Sequence, residues 1–262
     1  MRSPWTDLLL FGTAFLAGVV NSIAGGGTLL TFPALLSAGL PPVTANATST
    51  VALVPGSLSA FWGYRGEVRG ESRLLLAMAA PSLVGGVLGA FVADRVGDEA
   101  FGRLAPFLVL GATVLFMGQE PLRRWARAHA DPDFHGGREA RHLASIAAFQ
   151  LAVALYGGFF GAGMGILMLA ALGLLGLQDI HRMNGLKNLA AVCINGLAAA
   201  TFALAGRVEW STAGMMMVGG IVGGYTGAGL ARRLGQVVVR RLVVAIGLAI
   251  SAILFVRLVL AG

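Results

Sequence analysis

The chain contains a single lysine, Lys187, which lies in a hydrophobic stretch beside Asn184, Asn188 and Asn195. A helix beginning near residue 184 turns about 100° per residue, which places the three asparagines within about 40° of one another and Lys187 about 60° to one side. Together they make one polar stripe on an otherwise apolar helix. An ammonium inside a bilayer costs at least ~2.5–3.5 kcal/mol on insertion scales, so such residues ordinarily face a cavity and serve function. The alternative is snorkelling, since Lys187 sits only a few residues inside its helix. Apart from Asp7 at the start of 6–24, no Asp or Glu lies in a long apolar segment to neutralise it, and the nearest in sequence, Asp179, falls in a loop. An unpaired cation on a polar stripe suits an anionic ligand.

The first half of the chain repeats this pattern. At an offset of 138 residues Asn46 falls on Asn184, Ser49 on Lys187, Thr50 on Asn188 and Ser57 on Asn195. Gly25 and Gly27 likewise fall on Gly163 and Gly165. Such self-similarity marks an internal repeat. Asn, Ser and Thr also hold membrane helices together, which is the competing reading for Thr50 and Ser57.

Two glycine-rich breaks precede short apolar segments. Gly25, Gly26 and Gly27, with Asn21, Ser22 and Thr28 alongside, stand before 28–40, and Gly161, Gly163 and Gly165 stand at the start of 165–177. Thirteen residues at 1.5 Å each reach only ~20 Å, short of the ~30 Å apolar core of a membrane. A half-helix starting at Thr28 or Ile166 presents unpaired N–H groups and a positive dipole end to the membrane interior, a ready anion site. The plainer reading is that the glycines allow a tight bend and close packing.

The elements that must position these residues are apolar segments at about 6–24, 28–40, 43–64, 74–93 and 104–119, then at 143–162, 165–177, 184–205, 212–231 and 239–260. The order long, short, long, long, long occurs twice. An Arg-rich stretch, 120–142, separates a first transmembrane repeat (1–119) from a second (143–262) and is expected to be a cytoplasmic linker. With 56% hydrophobic and 12% charged residues, the chain departs from soluble domains, which carry about 25% charge. The expected fold is an all-α membrane bundle of two repeats, each with four long helices and one short half-helix.

Charge bias decides their relative orientation. If each short segment completes a crossing, each half crosses five times and the second copy is inverted. Fourteen of the nineteen basic residues then share a side, including Arg65, Arg69, Arg73, Arg123, Arg124, Arg127, Arg138, Arg141, Arg182, Lys187, Arg232, Arg233, Arg240 and Arg241. The other five are Arg2, Arg95, Arg103, Arg207 and Arg257. With short segments that return without crossing, the split is eleven to eight. The positive-inside rule therefore favours inverted repeats with both termini periplasmic. Inverted repeats with broken helices are a recurring transporter plan, with the ligand near midplane.

Several function classes recede. The net charge of +7 belongs to loops between spans, and no basic, aromatic-interleaved module points to nucleic acid. The single Cys193 cannot form a disulfide framework or a cysteine metal site, and cleavage of a leader near Ala24 would remove part of the repeat. No His lies in a long span to serve as a catalytic base, and His129, His135 and His142 flank the linker without a ligand pattern. The run Met215-Met216-Met217 points to different faces and reads as core filler. No cofactor is expected.

The segment from Gly18 through Asn21-Ser22-Ile23-Ala24-Gly25-Gly26-Gly27 to Thr31-Phe32-Pro33-Ala34-Leu35-Leu36 resembles the opening of the TauE/SafE family of sulfite exporters. Gly39-Leu40-Pro41-Pro42, Pro55-Gly56-Ser57 and Tyr64-Arg65 continue the likeness. Tyr156-Gly157-Gly158-Phe159-Phe160-Gly161-Ala162-Gly163 and Met183-Asn184-Gly185-Leu186-Lys187-Asn188 resemble its second repeat. The resemblance implies a multi-pass transporter of sulfite, organosulfonates or related small anions in a bacterial inner membrane. This chain has Thr48-Ser49-Thr50 where many members carry Thr-Asn-Lys, so the first-half cation is absent. The expected ligand is a small sulfur-containing anion held by Lys187, Asn188, Asn195 and Asn184, with Asn21, Ser22, Gly25, Gly26, Gly27, Thr28, Asn46, Ser49, Thr50, Ser57, Gly163 and Gly165 completing the site. A cation or metal permease, disfavoured by the lack of intramembrane Asp, Glu or His, and a membrane enzyme or assembly factor remain as alternatives. Oligomeric state, transport direction and energy coupling are not written in the sequence.

Overall fold

The computed structural model describes residues 3–23, 25–68, 70, 72–130, 140–177, 179–234 and 236–261. Arg2, Ala24, Arg69, His135 and Arg138, named above, lie outside the described residues, as does the part of the expected linker at 131–139. Among the described residues the chain is all-helical: α1 (Pro4–Ile23), α2 (Thr28–Ser37), α3 (Pro42–Tyr64), α4 (Ser72–Ala128), α5 (Ala140–Phe159), α6 (Met164–Leu174), α7 (Ile180–Leu204), α8 (Trp210–Leu234) and α9 (Gln236–Ala261).

The two short helices end sooner than their apolar runs. In α2 the chain turns at Gly39, with φ 88°, and Leu40 N donates to Leu35 O. In α6 it turns at Gly176, with φ 80°, and Leu177 N donates to Leu172 O. Both are glycine-terminated ends in which the residue after the glycine bonds five positions back and folds its apolar side chain onto the helix. Leu40 and Leu177 are accordingly buried although they are not helical. The segments read as 28–40 and 165–177 are therefore helices of 10 and 11 residues. The second half-helix also begins earlier than expected, at Met164 and not Ile166, because Gly163 takes the left-handed N-cap conformation with φ 81°.

α4 consists of two helical arms that meet at Gly97, whose φ of 75° and ψ of 169° are not helical. The expected apolar segments 74–93 and 104–119 lie one in each arm, and each arm is longer than the ~20 residues a crossing needs. Asp94, Asp98 and Glu99 stand at the junction. The second arm runs into the expected linker as far as Ala128.

Among the described residues four helices are long and apolar enough to cross a membrane: α1, α4, α7 and, in α9, Val243–Leu260. α3 falls short because Asn46, Thr48, Ser49, Thr50 and Ser57 dilute its hydropathy, and every one of them is buried against neighbours. Trp5, Leu8, Leu76, Tyr225 and Val259 point outward and leave an apolar rim.

Packing is tight where glycines remove side chains. α1 lies on α8 and α4 on α5, while α3 contacts α7 and α8 and α7 also contacts α4. A Cβ on Gly18 would sit 2.5 Å from Gly220 O, and one on Gly86 2.5 Å from Ile194 O, so the backbones approach as only small residues permit. At one end of the bundle the start of α3, the bend of α4 and the α7–α8 turn meet. There Asp98 Oδ1 accepts from Val43 N (2.8 Å), Arg207 reaches Asp94 (2.6 Å) and Asp98 (3.5 Å), and Glu209 N donates to Thr48 Oγ1 (3.0 Å). At the other end Tyr64 stacks near His181 with ring centroids 6.2 Å apart, and Gly173 abuts Ala126.

Candidate functional site

The two glycine breaks touch. A Cβ added to Gly25, whose φ is +72°, would lie 2.7 Å from Gly165 Cα. One added to Gly161 would lie 3.7 Å from Thr28 Oγ1 and 3.9 Å from Asn195 Oδ1. The first turns of α2 and α6 therefore converge on one place. Their N-cap residues, Gly27 and Gly163, have no side chain to bond the first-turn N–H groups. Phe116 of α4 lies against Gly26, where only hydrogen leaves it room.

The C-terminal ends of α1 and α5 close on the same region, and each is capped from the opposite half of the chain. Lys187 Nζ, on α7, donates to the carbonyls of Asn21 (3.1 Å) and Ser22 (3.3 Å) in the last turn of α1. Asn46 Nδ2, on α3, donates to the carbonyl of Phe159 (2.9 Å), the last residue of α5. Asn21 and Phe159 are themselves separated by the offset of 138. A cation at a helix C-terminus meets both the orphan carbonyls and the negative dipole end.

This revises the reading of Lys187. It is 1% exposed, so its stem does not reach the interface. Nor is it unpaired, since two backbone carbonyls hold its ammonium. Sequence could not signal those partners, because every residue carries a carbonyl.

All sixteen predicted site residues are buried. Several already have partners. Asn21 Nδ2 donates to Ser57 Oγ (2.9 Å), Ser49 Oγ shares a hydrogen with Thr31 Oγ1 (2.5 Å), Thr50 Oγ1 returns to Asn46 O (2.9 Å) and Ser22 Oγ to Val19 O (2.9 Å). These join α1, α2 and α3 to one another. Three buried polar atoms of the predicted set have no partner: Asn188 Nδ2, Asn184 Oδ1 and Asn46 Oδ1. Asn188 shares the face of α7 that carries Asn195, whose Oδ1 lies 3.9 Å from a Cβ on Gly161. Asn184 is further out, beside Gly185, whose neighbours are Tyr64 and Val68 at the end of α3.

Sequence reasoning missed Thr31, Tyr156 and Phe159. Tyr156 OH donates to Ala162 O (2.5 Å) and pins the second break. A tyrosine six residues before a glycine-rich turn was the only available hint. Among the described residues no three of His, Cys, Asp and Glu gather as metal ligands would. The arrangement offers donors above all: one ammonium, one free amide and two uncapped helix N-termini.

Known proteins match this chain along nearly its full length. The model of the sulfite exporter TauE/SafE family matches residues 10–254. A probable membrane transporter protein, YfcA, of Escherichia coli is 34% identical over 262 residues, covering 96% of this chain and 90% of its own. A probable membrane transporter protein of Haemophilus influenzae is 30% identical over 259 residues, 94% of each chain. One from Sinorhizobium, ORF9, is 32% identical over 251 residues, 92% of this chain and 89% of its own. No solved structure matches. The chain belongs to the sulfite exporter TauE/SafE family of membrane transporters.

Proposed function

We propose that the chain is an inner-membrane secondary transporter or facilitator of a small sulfur-containing anion, sulfite or an organosulfonate, bound where the glycine breaks meet. The observation that carries this is the contact of Gly25 with Gly165 beside a buried Lys187. It brings the positive ends of two half-helices, a cation and the Asn188 amide to one point inside an apolar bundle. Lys187, Asn188, Asn195 and the backbone of Gly26 to Thr28 would touch the anion. Asn21, Ser22, Ser49, Thr50 and Ser57 brace the elements around it, Asn46 caps the end of α5, and Asn184 lies further out.

The inverted repeat is part of the same proposal. Exchanging the halves turns α1 on α8 into α5 on the part of α4 before Gly97, where Gly85 and Gly89 meet Ala154 and Leu155, and α3 on α8 into α7 on that same part, where Gly86 meets Ile194. The grouping of Asp94, Asp98 and Arg207 at one end, and of Tyr64 with His181 at the other, agrees with the partition of charges that favours five crossings per half. Both termini then lie in the periplasm and 120–142 in the cytoplasm. Rocking of one half against the other around the breaks would give alternating access.

Flux of sulfite or a sulfonate into vesicles containing Lys187→Ala tests the site, and unimpaired flux would remove Lys187 from it. Thermal stabilisation of the purified chain in detergent by the same anions is the companion measurement. At a hundred times Kd a ligand adds ~2.7 kcal/mol, and a scaffold without a site shows no shift.

A further inference from the structure

We infer that the transported species is a monoanion, hydrogen sulfite or a sulfonate, and that dianions such as sulfite itself and sulfate are rejected; this rests on the anion reading of the glycine breaks.

The inference comes from the charge enclosed there. Four helix ends meet at the breaks: the N-termini of α2 and α6 and the C-termini of α1 and α5. Each N-terminus acts as about +0.5 of an elementary charge and each C-terminus as about −0.5, so to first order the four cancel. What remains is Lys187, one positive charge, 1% exposed and bonded to the end of α1. Among the described side chains, the elements packed around it place no second cation at the breaks. α6 and α3 up to Gly63 carry no titratable side chain, and the C-terminal half of α1 carries none. α5 contributes Tyr156, bonded to Ala162 O, and α7 contributes Cys193. His181 and Arg182 stand at the first turn of α7, at the end with Tyr64. The charged groups of α4 nearest in sequence, Asp94, Arg95, Asp98, Glu99 and Arg103, stand at its bend with Arg207. A monoanion would leave the enclosed region neutral. A dianion would leave about one negative charge without compensation in an apolar bundle, where nearby solvent cannot screen it.

Hydrogen-bond capacity points the same way. Asn188 Nδ2, 1% exposed and without a partner, is a donor for an anionic oxygen. Asn46 Oδ1 and Asn184 Oδ1, also buried and without partners, are acceptors. Hydrogen sulfite carries a proton that can satisfy such acceptors on its way through, which neither a sulfonate nor a dianion does.

The test uses the full chain in vesicles with potential clamped and pH equal on both sides. Initial uptake of sulfite and of methanesulfonate is measured at fixed total concentration from about pH 6 to about pH 9. Sulfite changes from monoanion to dianion within this range, and methanesulfonate stays a monoanion throughout. Titration of the protein acts on both substrates and cancels in their ratio. The expected result is a sulfite-to-methanesulfonate ratio that falls about tenfold per pH unit once the dianion dominates, with excess sulfate leaving both fluxes within about twofold. A ratio that is flat or rises with pH, or inhibition by sulfate as strong as by methanesulfonate, overturns the monoanion inference while leaving the anion transporter standing. Absence of flux for both substrates at every pH overturns the transport reading, and the inference with it.

Discussion

Gly25 and Gly39 both hold left-handed backbone, with φ of +72° and +88°, but their surroundings differ. A Cβ on Gly25 lies 2.7 Å from Gly165 Cα and 3.2 Å from Gly165 N, whereas nothing stands within 4 Å of one on Gly39. Alanine at either site incurs the left-handed penalty of ~1–2 kcal/mol. Either also gains ~0.4–1 kcal/mol from a less flexible unfolded chain. The difference between the variants therefore isolates the clash. Backbone is the obstacle at Gly25, so relief requires the two half-helices to separate, at ~1–3 kcal/mol by analogy with overpacked cores. Gly39→Ala should thus cost ~0–1.6 kcal/mol and Gly25→Ala ~1–4.6 kcal/mol. Thermal midpoints in detergent, with Gly12→Ala as a helical control free of neighbours, read the stability term. Anion flux in vesicles reads the functional one, with a loss of at least about tenfold expected for Gly25→Ala and little change for Gly39→Ala. Equal stability and equal flux for the two alanine variants would refute the contact between the breaks.

Asn188→Leu removes a buried amide donor without a partner; it should raise the thermal midpoint, by up to ~1–3 kcal/mol of relieved desolvation, and abolish anion flux. Stability and flux falling together would make Asn188 structural. Lys187→Met should lose flux and also stability, because it strands the carbonyls of Asn21 and Ser22, at ~1–3 kcal/mol each less the gain from deleting a buried charge. Arg207→Gln frees Asp94 at the bend of α4; side chains 35% and 24% exposed limit the cost to about 1 kcal/mol, and the effect should shrink in high salt, followed as the denaturation midpoint against salt concentration. Gly86→Ala, facing Ile194 O at 2.5 Å, should destabilise the chain more than Gly111→Ala, which has nothing within 4 Å, as detergent melting would report.

Much of the architecture is legible in the residues. Apolar runs, their lengths and the interruptions by glycine identify a helical membrane protein and its two half-helices, since hydropathy and backbone freedom are properties of individual residue types. The polar stripes of α3 and α7 are equally legible, because a period of 3.6 gathers Asn184, Asn188 and Asn195 whatever surrounds them. Helix ends were less so. The apolar runs of α2 and α6 continue past their ends because Leu40 and Leu177 fold back after a left-handed glycine. The two arms of α4 run past the apolar segments 74–93 and 104–119 as far as Gly97, because charged residues signal water and at a membrane edge a helix can carry them.

Tertiary structure alone decided what each polar group does. Lys187 is distinctive in the sequence, but its partners are the carbonyls of Asn21 and Ser22, some 165 residues away and invisible to residue type. The same holds for Asn46 and the carbonyl of Phe159. The meeting of Gly25 with Gly165 depends on two breaks sharing one point in space, which spacing along the chain does not determine. Residue types determine which groups need a partner in an apolar medium. Only the packing of distant helices determines which of those needs the protein meets itself, and which, as at Asn188, it leaves unmet.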